Sequence, residues 1–371
     1  MRSDYFGFNR FGLNKIAAAL LLVGAAQASA EELHVYNWSD YIAEETVARF
    51  EAQSGIKVIY DVYDSNEVLE AKLLAGRSGY DLVFPTARPF ADRHIRAGIY
   101  QKLDTSQLTN YQNLDSVILT SLADIDAGNQ HLAPYMWGTT GIGYNVAKVK
   151  AILGDEMPLD TWRLVFDPKI VAKLADCGVT LMDDATEVFV AARAYLGKPT
   201  DDFSKSALAE AAAVVSQVRP QLRYFHSSQY INDLANGDTC VAQGYSGDIL
   251  QARDRASEAA NGVEVAYAVP SEGAVVWTDV MAIPADAPNP AAAHKFINYL
   301  LQPEVIADIT NYVAYANANG AATDLVDEEI RGDAGIYPPA ETRAKLLVLK
   351  TPTDKQSRDM NRAWTRVKTG Q

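Results

Sequence analysis

Histidine and cysteine are scarce in this chain of 371 residues, at five and two respectively. The histidines (His34, His94, His131, His226 and His294) are scattered and show no ligand spacing, which excludes the common zinc motifs. No nucleophile elbow or Ser-His-Asp arrangement is visible, so the usual routes to a hydrolase are missing. Gly141-x-Gly143 lacks the third glycine of a dinucleotide fingerprint and reads as a turn. Positive charge is short as well, with 33 Lys and Arg against 47 Asp and Glu. Such a surface repels nucleic acid and anionic membranes and mildly favours the approach of cations. Beyond residue 30, no stretch is long and apolar enough to cross a bilayer.

What is present begins with an export signal. Arg2, Arg10 and Lys15 form a weakly basic start, Ile16 to Ala26 is an almost unbroken apolar run, and Ala28-Ser29-Ala30 supplies a small-x-small cleavage pattern. No cysteine stands at the cleavage point for a lipid anchor, and no Arg-Arg pair marks the twin-arginine route. The expectation is a signal peptide over 1–30, cleaved near Ala30, and a free exported protein. Without that segment the chain carries 30 Lys and Arg against 46 Asp and Glu. In an oxidising compartment the two cysteines, Cys177 and Cys240, suggest one disulfide, with two free buried thiols as the alternative.

The exported chain reads as repeated βα units. Leu33–Asn37 forms a first strand, and Ile42, Val47 and Phe50 fall on one face of a helix that Gly55 can end. Ile56–Tyr60 follows as a strand. Next comes a helix with Val68, Leu69 and Leu73 inward, and then the short apolar strand Tyr80–Phe84. This alternation predicts an α/β fold with a largely parallel sheet. Ligands of such sheets sit at the carboxyl ends of the strands, which places Trp38–Tyr41 and Pro85-Thr86 at one rim. A second region of similar texture runs from about Thr140 to Ala260. No low-complexity linker divides the two, so two lobes joined by short crossings are expected.

Aromatic residues and carboxylates repeatedly share a predicted strand end. Trp38-Ser39-Asp40-Tyr41, Tyr245-Ser246-Gly247-Asp248 and Trp277-Thr278-Asp279 are three cases, with Asp183, Asp184 and Glu187 as an acidic fourth. Carboxylates bind ammonium groups, and ring faces attract cations by about 0.5–2 kcal/mol each. Asp40 and Asp184 could equally cap the helices that follow them. Taken alone, the pattern indicates a site for a small polar or cationic solute.

The segments VYNWSDYI, YDLVFPT, MWGTTGIGYN, LMDDATEVF, GYSGDIL, WTDVMAIP, INYLLQPEV, YANAN, GIYPPAETRAKL and RAWTRVKTG carry a resemblance covering essentially all of residues 31–371. Through them the chain resembles the periplasmic polyamine-binding proteins of ABC transporters, in particular the putrescine-binding type. The resemblance implies a two-lobed periplasmic binding protein of type II with a ligand cleft between the lobes. One lobe would hold 31–137 plus about 260–305, the other about 138–259 plus 306–371. It implies that Trp38, Ser39, Asp40 and Tyr41 form the first ligand loop and that Thr86 stands where Ser is usual. Glu187, Asp248 and Asp279 would be acidic ligand residues, and Tyr315 an aromatic wall. Tyr245 stands where the pattern has Trp, and Trp277 where it has Phe, which leaves putrescine, spermidine and spermine open as ligands. The family's disulfide matches Cys177 and Cys240. A monomer with no cofactor, delivering its amine to a membrane ABC permease, completes the expectation. A polyamine sensor and an enzyme on the same fold are the competing readings.

Overall fold

The computed structural model describes residues 31–371, so the segment read as a signal peptide lies outside the described residues. Strand β1 (Glu32–Trp38) pairs in parallel with β2 (Lys57–Tyr63) on one side and β3 (Leu82–Val83) on the other. The helices Glu44–Ser54 and Asn66–Leu74 make the connections. Gly55 ends the first helix with φ of 71°, a left-handed conformation that suits glycine, and its N–H caps the Glu51 carbonyl. In the second helix the buried stripe is Asn66, Leu69 and Leu73, spaced i, i+3 and i+7. Val68, expected inward, falls off that stripe and is exposed.

The second sheet is built on β4 (Ala133–Asn145), with β5 (Val179–Leu181), β6 (Tyr224–Phe225), β7 (Val241–Tyr245), β8 (Val265–Ala268), β9 (Val275–Met281), β10 (Ala316–Asn317) and β11 (Leu347–Val348). Its order is β11-β9-β4-β7-β5-β6, with β8 and β10 also on β4. The largely parallel sheet expected from the βα alternation is corrected here. β5 is parallel to β6 and β7, but β4 runs antiparallel to β7, β8, β9 and β10. The cause is the length of β4: its first half, to Thr139, pairs with β9, and its second half, from Thr140, pairs with β7. Bridges from Val83 to Ala282 and from Thr86 to Asp279 tie the first sheet to β9. β4 thus runs from one α/β lobe into the other, with β9 beside its first half. At Gly138 on this crossing a Cβ would lie 2.8 Å from the Trp277 ring, so only glycine allows the approach.

The helices Ala185–Tyr195, Lys205–Val218, Gln229–Ala235 and Ser246–Glu258 pack around the second sheet. The C-terminal helix Asp354–Thr369 docks there, with Trp364 Nε1 donating to Asp183 Oδ1 at 2.8 Å and Lys368 Nζ pairing with the same carboxylate. Cys177 and Cys240 are joined in a disulfide with Cα atoms 5.5 Å apart, linking the chain just before β5 to the chain just before β7. Among the described residues no helix is long and apolar enough to cross a membrane.

Candidate ligand-binding site

The carboxyl ends of β1 and β3 and the start of the helix after β7 converge on one cleft. Its open space, counted out to solvent at the mouth, is about 380 Å³, and its lining includes Trp38, Tyr41, Thr86, Asp248, Asp279 and Tyr315. Tyr245, Trp277, Ser39, Asp64 and Ser227 complete it.

Five rings form its walls in a chain of edge-to-face contacts. Centroid distances are 6.0 Å from Trp38 to Tyr245, 5.5 Å from Tyr245 to Trp277, 5.5 Å from Trp277 to Tyr315 and 5.1 Å from Tyr315 to Tyr41. Local bonds fix these rings. Trp38 Nε1 donates to the Phe84 carbonyl at 2.8 Å, and the Tyr135 hydroxyl donates to the Tyr41 carbonyl at 2.8 Å. The Tyr41 hydroxyl and Trp277 Nε1 are buried without a well-formed hydrogen bond, although Tyr41 lies near enough to Asp279 for each to feel the other.

Two carboxylates are set among the rings. Asp248, in the first turn of its helix, accepts the Tyr315 hydroxyl on Oδ1 at 2.6 Å and the Tyr230 hydroxyl on Oδ2 at 2.7 Å. Asp279, on β9, accepts the Thr86 hydroxyl at 2.7 Å. Asn66 donates to Thr86 Oγ1 at 2.9 Å and accepts the Thr86 backbone N–H at 3.0 Å, which leaves the threonine proton free for Asp279. Among the described residues no Lys or Arg lines the cleft. Burial therefore outweighs the hydroxyl bonds and pushes the Asp248 carboxyl up to about 6 and that of Asp279 up to about 7. A buried carboxylate without a cation is costly, and a ligand ammonium removes that cost.

Nine of the eleven residues expected at the site line this cleft, and Asp40 and Glu187 do not. Asp40 adopts φ of 53°, a left-handed conformation that Asp tolerates. Its carboxylate leaves the cleft and pairs with Arg255 Nη2 at 2.7 Å. Nor does it cap a helix, since Ala43 is the N-cap of Glu44–Ser54. Glu187 is buried beyond the lining, with Oε2 unpartnered, and burial together with Asp184 raises its carboxyl well above the ordinary range. Asp184 is the cap the sequence allowed: its carboxylate accepts the N–H groups of Thr186 at 2.8 Å and Glu187 at 3.0 Å.

Sequence reasoning missed Asp64 and Ser227 in the lining, and Tyr230 and Asn66 behind it. Asn66 is the first residue of its helix, and its place three residues before Leu69 on the inward stripe was the one available signal.

A cleft of rings and carboxylates between two α/β lobes defines a solute-binding protein. The chain matches the bacterial extracellular solute-binding proteins over residues 45–336 and belongs to that family. It is 53% identical over 358 residues to a putrescine-binding periplasmic protein of Escherichia coli, covering 96% of each chain. A putrescine-binding periplasmic protein of Pseudomonas aeruginosa is 52% identical, over 97% of this chain and 99% of the other. Among solved structures, a putative spermidine/putrescine ABC transporter protein from Listeria monocytogenes superposes with a TM-score of 0.81 at 31% identity, covering 92% of this chain and 100% of that one. The family resemblance read in the sequence is thus borne out, as is the two-lobed fold.

Proposed function

We propose that the protein captures a linear polyamine in the periplasm and delivers it to a membrane ABC importer. One observation carries this reading: two buried carboxylates, Asp248 and Asp279, face a cage of five rings in which no cationic side chain lies. A diamine presents ammonium groups at its ends and methylenes between, so it matches carboxylates at the ends and ring faces along the middle. Uncharged solutes leave the carboxylates unpaired and are rejected.

Binding proceeds by hinge closure about β4, which runs from one lobe into the other. The lobes comprise 31–137 with about 260–305, and about 138–259 with 306–371. In this division Tyr41 and Asp279 belong to one lobe, and Asp248 and Tyr245 to the other, so the ligand bridges them and favours the closed state that the permease reads. We assign no chemical step to the site. The similarity to relatives named as putrescine-binding periplasmic proteins supports both ligand class and compartment.

The test is calorimetric titration with putrescine, spermidine, spermine and agmatine, alongside 1,4-butanediol as an uncharged analogue. Saturable binding of at least one amine and none of the diol is expected. Failure of all four amines to bind overturns the reading.

A further inference from the structure

Asp64 and Ser227 line the cleft yet belong neither to the ring cage nor to the hydroxyl pairs of the inner carboxylates. Asp64 directly follows β2, whose last residue, Tyr63, is the register partner of Trp38. The Tyr63 carbonyl accepts the Ser39 backbone N–H at 3.0 Å, which places Asp64 about one strand spacing, roughly 5 Å, from the Ser39 turn. It therefore stands on the Trp38 side of the cage, whereas Asp248 is bonded to Tyr315. Ser227 comes from the other lobe and is buried, and its hydroxyl oxygen accepts the Asp183 N–H at 3.2 Å.

Among the described residues no Lys or Arg pairs with Asp64. Its basic neighbour is His226, with Nε2 at 3.9 Å from Oδ2. His226 Nδ1 accepts the N–H groups of Ser228 at 3.1 Å and Gln229 at 3.0 Å, which places the ring proton on Nε2. The Asp64 side chain is half-exposed and lines the same cleft as the two inner carboxylates.

We propose that Asp64, with Ser227 beside it, is an outer amine subsite that sets the preference of this cleft for a linear triamine over a diamine. The proposal rests on the polyamine reading of the cleft. A diamine is satisfied by Asp248 and Asp279, and a triamine brings a third ammonium for which Asp64 is the remaining carboxylate in the lining. Tyr245, standing where the related pattern has Trp, is the smaller ring on that side and meets Trp38 at a centroid distance of 6.0 Å. The outer subsite is exposed and therefore screened by salt, unlike the buried pair.

Calorimetry with putrescine and spermidine on the protein expressed from the full chain and dialysed free of bound amine tests this. Asp64→Asn is expected to raise the Kd for spermidine at least threefold more than the Kd for putrescine. Asp64→Glu should restore most of the difference, and Ser227→Ala should lose part of it. Added salt should narrow the spermidine-to-putrescine preference of the parent and leave that of Asp64→Asn little changed. Equal changes in the two Kd values, or a parent that binds putrescine but not spermidine, overturn the outer subsite alone. A parent that binds neither amine overturns the polyamine reading on which it rests.

Discussion

Tyr315 is bonded twice to Asp248: its hydroxyl donates to Oδ1 at 2.6 Å and accepts the backbone N–H of the same residue at 3.0 Å. The wall of the cleft and its carboxylate therefore move as one unit, and Tyr230 holds the other oxygen. Asp248→Asn keeps the shape and removes the charge. Its expected effect is at least a tenfold rise in Kd for the preferred amine, with the melting temperature of the empty protein unchanged or raised because a buried charge is gone. Calorimetry and a thermal melt check both halves.

The same burial makes binding depend on pH. With carboxyl groups near 6 and 7 in the empty cleft, a protonated form dominates at pH 5.5, and each must lose its proton to hold an ammonium. Affinity should fall on the order of a hundredfold from pH 7.5 to 5.5, with proton uptake by the buffer on binding near pH 6.5. Because both groups are raised above their unfolded values, they stabilise the empty protein at low pH. That contribution disappears as pH rises through about 6 and 7, and the gain in melting temperature from ligand should grow over the same range. Titrations in buffers of different ionisation enthalpy measure the proton count.

Asp40 and Arg255 form an ion pair at 2.7 Å outside the cleft, and Gln251 Nε2 donates to the Asp40 carbonyl at 3.3 Å. Both charged side chains are more than a third exposed, so the pair is worth about 0.5–1 kcal/mol. Asp40→Ala and Arg255→Ala should each raise Kd about two- to fivefold through faster release, and the double variant should cost little more than either alone. A loss above tenfold for Asp40→Ala, with Arg255→Ala silent, would mean instead that Asp40 touches the ligand.

Gly247 precedes Asp248, and a Cβ there would lie 2.5 Å from the Tyr315 ring. Gly247→Ala must push that wall aside. Amine affinity should drop at least tenfold while far-ultraviolet circular dichroism stays unchanged, since alanine suits a helix.

Opening the Cys177–Cys240 disulfide frees a loop of 63 residues. In the chain-entropy view this costs about 4 kcal/mol of stability, read as a lower urea midpoint for the Cys177→Ala, Cys240→Ala protein. Amine affinity at low urea should be nearly unchanged, because neither residue lines the cleft.

The order of strands and helices was legible because their signals are local. Period, glycine stops and short apolar runs placed β1, β2 and the helix that Gly55 ends. The antiparallel course of β4 was not legible, because pairing direction depends on partners more than a hundred residues away. Much of the cleft followed from residue types at strand ends, since strand ends on one edge of a sheet must share a rim. Asn66 and Tyr230 escaped notice because each acts through another side chain, a relation that sequence spacing does not encode.

By itself the sequence determined that rings and acids would gather at the ends of strands in an exported α/β protein with too few basic residues to neutralise them. Only the tertiary structure decided which acids face the cleft. A left-handed turn at Asp40 sends its carboxylate out to Arg255, and Glu187 lies buried behind the lining. Asp248 and Asp279 instead come to rest among five rings from distant segments. The direction of a side chain at a strand end follows from one backbone dihedral and the packing around it, and both are set by contacts the chain makes only once it has folded.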